Sequence, residues 1–224
     1  MEKIRPEERA ALNLSRWRVA LNGAEPVRKD TMDRFAAAYA ASGFRLDAFS
    51  PGYGLAEATL QVTGILAGSG PTDLLVDPVA LERHEVVPAL AGQTEARSLV
   101  GYEPSPLQTR WCIADPDQLT ACAPGRVGEI WVAGPGVAQG YWNRAQATRE
   151  TFQAHLADTG DGPYLRTGDL GFVHDGKLYV TGRIKDLIIV RGRNHYPQDI
   201  ELTAEQSHPA LEPGGGGVLA GTER

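Results

Sequence analysis

The chain has 224 residues, enough for one large domain or two smaller ones, and its 42% hydrophobic content can fill a core. A net charge of −6 argues against a nucleic-acid-binding or anionic-membrane surface, and no apolar run is long enough to span a bilayer. The first residues lack the apolar region of a secretory signal, which leaves a cytoplasmic protein as the expectation. Cys112 and Cys122 flank a polar turn; a disulfide is open to them, but a reduced pair fits that compartment better.

Taken in order, Pro6 to Leu12 reads as a short helix with proline at its start. Trp17 to Leu21 is a β-rich apolar run, read as a buried strand. Asp30 to Ala41 carries a helical stripe at Phe35, Ala38 and Tyr39, stopped by Ser42-Gly43. Gly64 to Gly101 is the least readable stretch, a loose surface excursion with a short strand or two and apolar pieces at Leu74–Val76 and Val86–Leu90. Arg110 to Asp115 and Val127 to Ala133 read as strands, Thr148 to Leu156 as a helix, and Trp131 and Trp142 as core aromatics. A final helix runs from about Pro197 to Gln206, and the glycines at 214–217 read as a flexible linker. The alternation implies an α/β fold of mixed sheets with packed helices and a β-rich part.

Three stretches carry candidate chemistry. The loop Asn22-Gly23-Ala24-Glu25-Pro26 follows a strand, where open α/β sheets bind ligands, though an ordinary strand-to-helix turn explains it as well. Phe49 to Glu57 brackets Tyr53 between a proline and two glycines, so the backbone can turn tightly and approach a ligand. Tyr53 then offers a flat face for a purine, or fills the core; Glu57 offers hard oxygen for magnesium. Tyr164 to Glu201 places an acid, an arginine, a lysine and a glycine turn in order along short strands. Asp169 could accept from both hydroxyls of a ribose, and Arg183 could read a phosphate or a ribose oxygen. A hairpin with solvated charges explains any one of these residues, but not the ordered set.

That set, Thr167-Gly168-Asp169 followed by Gly182-Arg183-Ile184-Lys185-Asp186, resembles the adenylate-forming superfamily of acyl-CoA synthetases, fatty acyl-AMP ligases, adenylation domains and luciferases. Tyr53-Gly54-Leu55-Ala56-Glu57-Ala58-Thr59-Leu60 is similar to the fatty acyl-AMP ligase form of a superfamily motif, as is Asn22-Gly23-Ala24-Glu25-Pro26. Gly128-Glu129-Ile130 and Gly140-Tyr141 resemble a segment taken as scaffold. The resemblance implies an adenylating fold, with residues 1–184 the later part of the large AMP-binding domain and 185–224 the hinge and start of a small one. It implies ATP and Mg2+, a fatty acid as substrate and an acyl carrier protein as acceptor. Asn22, Gly23, Ala24, Glu25, Tyr53 and Gly54 would hold adenine, Asp169 and Arg183 the ribose and its phosphate, and Glu57 the metal. Lys185 would be the hinge, and the excursion before Gly101 would limit domain rearrangement and so disfavour CoA as acceptor. The other readings are an acyl-CoA synthetase or amino-acid adenylation domain, and a non-catalytic nucleotide-binding module.

No Thr/Ser/Gly-rich phosphate loop ending in lysine stands in these residues, and the superfamily's C-terminal catalytic lysine has no counterpart. Losing a cation aimed at a transition state costs several kcal/mol, so the expectation is a fragment with little activity alone. Pyrophosphate exchange over a panel of fatty acids is expected to give little or no turnover with this chain; robust exchange would overturn that.

Overall fold

Short strand-forming runs separated by glycine turns assemble into two sheets and a hairpin in the computed structural model, which describes residues 4–90, 92–93, 95–104, 108–208, 210–211 and 217–218. The linker expectation at 214–216 lies outside the described residues. Helix α1 (Pro6–Ala10) leads to strand β1 (Ala20–Asn22), helix α2 (Lys29–Tyr39) and strand β2 (Phe49–Tyr53). β1 and β2 are parallel, with Asn22 opposite Pro51, and α2 is the crossover that parallel pairing demands. Strand β3 (Thr63–Gly64) adds to β2 antiparallel. The α2 stripe packs as read: Met32 and Tyr39 are buried, and Phe35 sits on Tyr39, Phe44 and Phe49 with ring centroids 4.6, 5.1 and 5.7 Å apart.

The expected buried strand at Trp17–Leu21 is corrected. Only Ala20–Asn22 enters the ladder, and Leu21 is 83% exposed. Trp17 instead lays its ring edge-on against Phe44 at 5.4 Å. A strand at the edge of this three-stranded sheet has one neighbour, so alternate side chains need not find cover.

The larger sheet contains β4 (Thr72–Val76), β5 (Arg97–Tyr102), β6 (Arg110–Ala114), β7 (Gly128–Ala133), β8 (Leu165–His174) and β9 (Lys177–Arg183). Their order is β4-β5-β9-β8-β7-β6, antiparallel throughout. The unreadable stretch thus supplies two strands and the short helix α3 (Pro78–Leu81), whose start is capped by Asp77 accepting from the Ala80 amide at 2.8 Å. β4 is an edge with most side chains exposed, so it carries no alternation to read. Every residue of β7 is buried: Ile130 and Val132 face one apolar cluster, Trp131 and Ala133 another. A strand covered on both faces reads as a continuous apolar run, which is why Gly-Glu-Ile-Trp-Val-Ala is legible.

Helix α4 (Ala145–Phe152) starts three residues before the sequence reading. Just ahead of it Trp142 is 90% exposed, which corrects its assignment to the core. Tyr141, itself partly exposed, lies edge-on to Phe152 at 5.0 Å, and the chain turns at Asn143 with φ 55°. Strands β10 (Ile188–Val190) and β11 (Arg193–His195) form a separate hairpin, and α5 (Pro197–Ser207) follows with proline in its first turn. Both cysteines are free thiols, and among the described residues no helix is long and apolar enough to cross a membrane.

Phe172 is fully buried on β8 and stacked on Tyr179 of β9 at 5.0 Å. Phe172→Ala is expected to lower unfolding free energy by roughly 3–5 kcal/mol, read by urea denaturation.

Candidate functional site

The site begins with an irregularity between β7 and β8. Trp131 pairs with Arg166 and Glu129 with Leu170, so three residues of β8, Thr167-Gly168-Asp169, stand opposite Ile130 alone. The extra length bulges out of the ladder and re-aims the side chain at its end. Gly168 takes the left-handed conformation the bulge needs, with φ 71°. Thr167 holds one side: its hydroxyl donates to the Ile130 carbonyl at 2.6 Å and accepts the Asp169 amide at 3.0 Å. The Gly168 amide donates to the Glu129 carboxylate at 3.0 Å.

Asp169 is buried where the two sheets meet. Its Oδ2 accepts the Tyr53 hydroxyl at 2.8 Å and its Oδ1 accepts Arg183 Nε at 3.1 Å. Arg183 sits directly across the ladder on β9. Tyr53 ends β2, so one hydrogen bond ties the small sheet to the large one. Burial first, then the Asp169 charge, pushes the Tyr53 phenol well up, so it stays a donor. Gly54 follows where the chain folds back on residues 60–61; a Cβ there would overlap the Leu60 carbonyl oxygen.

The structure therefore brings Tyr53, Asp169 and Arg183 into direct contact. Asn22 lies one strand away from Pro51, and the loop through Gly23, Ala24 (φ 67°) and Glu25 leaves the end of β1 beside the chain entering Tyr53. Glu57 sits apart on the single turn 56–58, its Oε1 accepting the Tyr141 hydroxyl at 2.7 Å. Lys185 is exposed on the turn 184–186, two residues past Arg183. Beyond it, Arg97 of β5 fastens the following segment: its guanidinium lies 4.4 Å over the Tyr196 ring, pairs with Asp199 at 3.2 Å and donates to the Thr181 carbonyl at 2.9 Å. The Glu82 carbonyl accepts both the Asn194 amide and its side chain, at 3.2 and 2.8 Å.

Sequence reasoning assigned Glu129 and Tyr141 to scaffold, took Thr167 only as part of its motif, and overlooked Arg166. The signal available was the acid at position 129 inside an otherwise apolar strand, since an ion is rarely fully buried unless paired.

Two stretches far apart in sequence, one on each sheet, thus meet at Asp169. Residues 1–142 match the AMP-binding enzyme family model, and the chain belongs to that family. It is 50% identical over 98% of its length to the medium-chain-fatty-acid–acyl-carrier-protein ligase JamA of Moorena producens (strain JHB), of which it covers 38%. It is 40% identical over 94% of its length to the corresponding ligase TtuA of Teredinibacter turnerae, covering 34% of that protein. Among solved structures it is similar to the fatty acyl-adenylate ligase from L. pneumophila in complex with acyl adenylate and pyrophosphate. There the TM-score is 0.77 at 48% identity, covering 92% of this chain and 36% of that one. The chain thus spans little more than a third of these relatives.

Burial raises the Asp169 carboxyl above its ordinary 3.8, outweighing the Tyr53 and Arg183 contacts that pull it down. A carboxyl raised in the folded state contributes stability that is full below its unfolded value and is lost as pH rises through the folded one. In urea unfolding from acid to neutral pH, the stability of the wild type minus that of Asp169→Asn is expected to fall as pH rises. A flat or rising difference would contradict the assigned burial.

Proposed function

We propose that this chain carries the adenosine-binding and hinge portion of an enzyme that activates a fatty acid as its acyl-adenylate and passes the acyl group to an acyl carrier protein. In that reaction a carboxylate oxygen attacks the α-phosphorus of ATP, the bond to pyrophosphate breaks, and positioning and charge neutralisation do most of the catalysis. The observation that carries the reading is the Tyr53–Asp169–Arg183 contact, an aromatic ring, a buried acid and a guanidinium from three strands.

Each residue has a role that its chemistry suits. Asp169 accepts the ribose hydroxyls, its two oxygens already aimed by their present donors. Arg183, half-exposed beside it, reads the neighbouring ribose or phosphate oxygen. The Tyr53 ring and the turn from Asn22 to Glu25, with Gly54, bound the adenine. Glu57 supplies one hard oxygen held in place by Tyr141, which fits a magnesium ion that keeps most of its shell as water and phosphate oxygen. Magnesium, when bound, would screen the charge on the departing pyrophosphate.

Lys185 is the hinge between residues 1–184 and 185–224, where a few backbone angles absorb a rotation. The grip of Arg97 and Glu82 on residues 194–199 supports the view that the segment from 64 to 101 restrains that rotation. The carrier-protein acceptor is supported by the names of JamA and TtuA.

Titration of the chain with AMP in a calorimeter tests the site. Binding is expected, and Asp169→Ala should weaken it on the order of tenfold or more, as loss of hydrogen bonds to a charged acceptor does. No binding, or binding indifferent to Asp169→Ala, would overturn the assignment.

A further inference from the structure

Glu129 is the least expected residue in the sheet. It sits at the second position of the fully buried strand β7 and is only 2% exposed. A lone carboxylate at such a place is very costly, so its partners reveal what holds it there. Its Oε2 accepts Trp131 Nε1 at 2.9 Å, Arg166 Nε at 2.9 Å and Arg166 Nη2 at 2.7 Å. Its Oε1 accepts the Gly168 amide at 3.0 Å. The Arg166 guanidinium also lies 5.5 Å from the Trp131 ring.

Three of these donors explain why the acid can be buried. The fourth explains what it does. In a regular ladder every second backbone amide of β8 would be taken by a β7 carbonyl, but the bulge at residues 167–169 interrupts that pairing. The Gly168 amide would be orphaned next to the core, at a cost of about 1–3 kcal/mol. The Glu129 side chain takes the place of the missing strand partner. It fixes the one residue of the bulge with a left-handed backbone, and that residue immediately precedes Asp169.

We propose that Glu129 is a positioning residue for Asp169: by clamping the Gly168 amide and Arg166 together it holds open the bulge that aims the Asp169 carboxylate. This rests on the proposed ribose-binding role of Asp169 for its functional consequence, though not for its geometry. Glu129 touches no substrate itself. An apolar residue would fill the strand equally well but would let the bulge close into the ladder or wander.

The test uses Glu129→Gln, which keeps size and removes charge, and which cannot accept all four donors because one terminal atom becomes a donor itself. In NMR spectra of the full chain, the Gly168 amide is expected to move upfield and the Asp169 carboxyl carbon to titrate at a different pH. If both stay where they are in the wild type, the clamp is refuted, whatever the ligand. The second readout is the ratio of affinities for AMP and 2′,3′-dideoxy-AMP. Wild type should favour AMP on the order of tenfold or more. Glu129→Gln should bind the two alike while keeping the wild-type affinity for the dideoxy nucleotide. General damage to the fold would weaken both.

A wild type that does not discriminate would sink the ribose reading while the NMR result still decides the clamp. A variant that still discriminates would sink the role given to Glu129. Should Glu129→Gln not fold, Arg166→Lys replaces the two-pronged donor with a point charge. It is expected to shift the same Gly168 and Asp169 signals in the same direction, and unmoved signals would again refute the clamp.

Discussion

A mismatch in strand length organises this molecule: three residues of β8 face one residue of β7. Had the two strands paired without interruption, position 169 would be one more alternating side chain, facing whichever apolar cluster its parity dictated. The bulge breaks that parity. It turns an acid toward the seam between the sheets, where a phenol from one and a guanidinium from the other meet its two oxygens. The same bulge explains why glycine stands at 168 and leaves the Gly168 amide for the carboxylate at 129 to accept.

The architecture serves this seam. The small mixed sheet, with Phe35 of α2 packed on Phe44 and Phe49, delivers Tyr53 at the end of its middle strand. The large antiparallel sheet delivers Asp169 and Arg183 from adjacent strands. A site shared by two sheets is sensitive to their relative placement. Here that placement is fixed by a common cluster containing Phe49 and Val62 from one side and Val100, Ile130 and Leu178 from the other. Residues 194–199 are held separately, through Arg97 and Glu82 and by Tyr196 in a second apolar cluster with Val76, Leu81 and Phe172.

Electrostatics at the seam are balanced against burial. Asp169 has two donors yet its carboxyl is still raised, because solvent is excluded from most of it. A carboxylate kept partly out of balance gains from additional donors.

Periodicity and turn chemistry in the sequence determined much: the α2 stripe, the apolar run of β7, the glycine turn between β10 and β11, and the candidacy of Tyr53, Asp169 and Arg183. These are local properties, set by side-chain spacing and backbone freedom within a few residues. Tertiary structure alone decided the rest. Trp17 and Trp142 look alike in composition, but one packs on α2 and the other projects into solvent, because burial depends on which segment arrives opposite. β4 is marked in the sequence only by the apolar piece Leu74–Val76, and its place at the sheet edge is decided by β5, which offers it a ladder. Glu129 reads as scaffold from its neighbours, and its clamp on Gly168 spans 39 positions. The Tyr53–Asp169 bond spans 116. No local spacing encodes such pairings, since they follow from how the whole core closes.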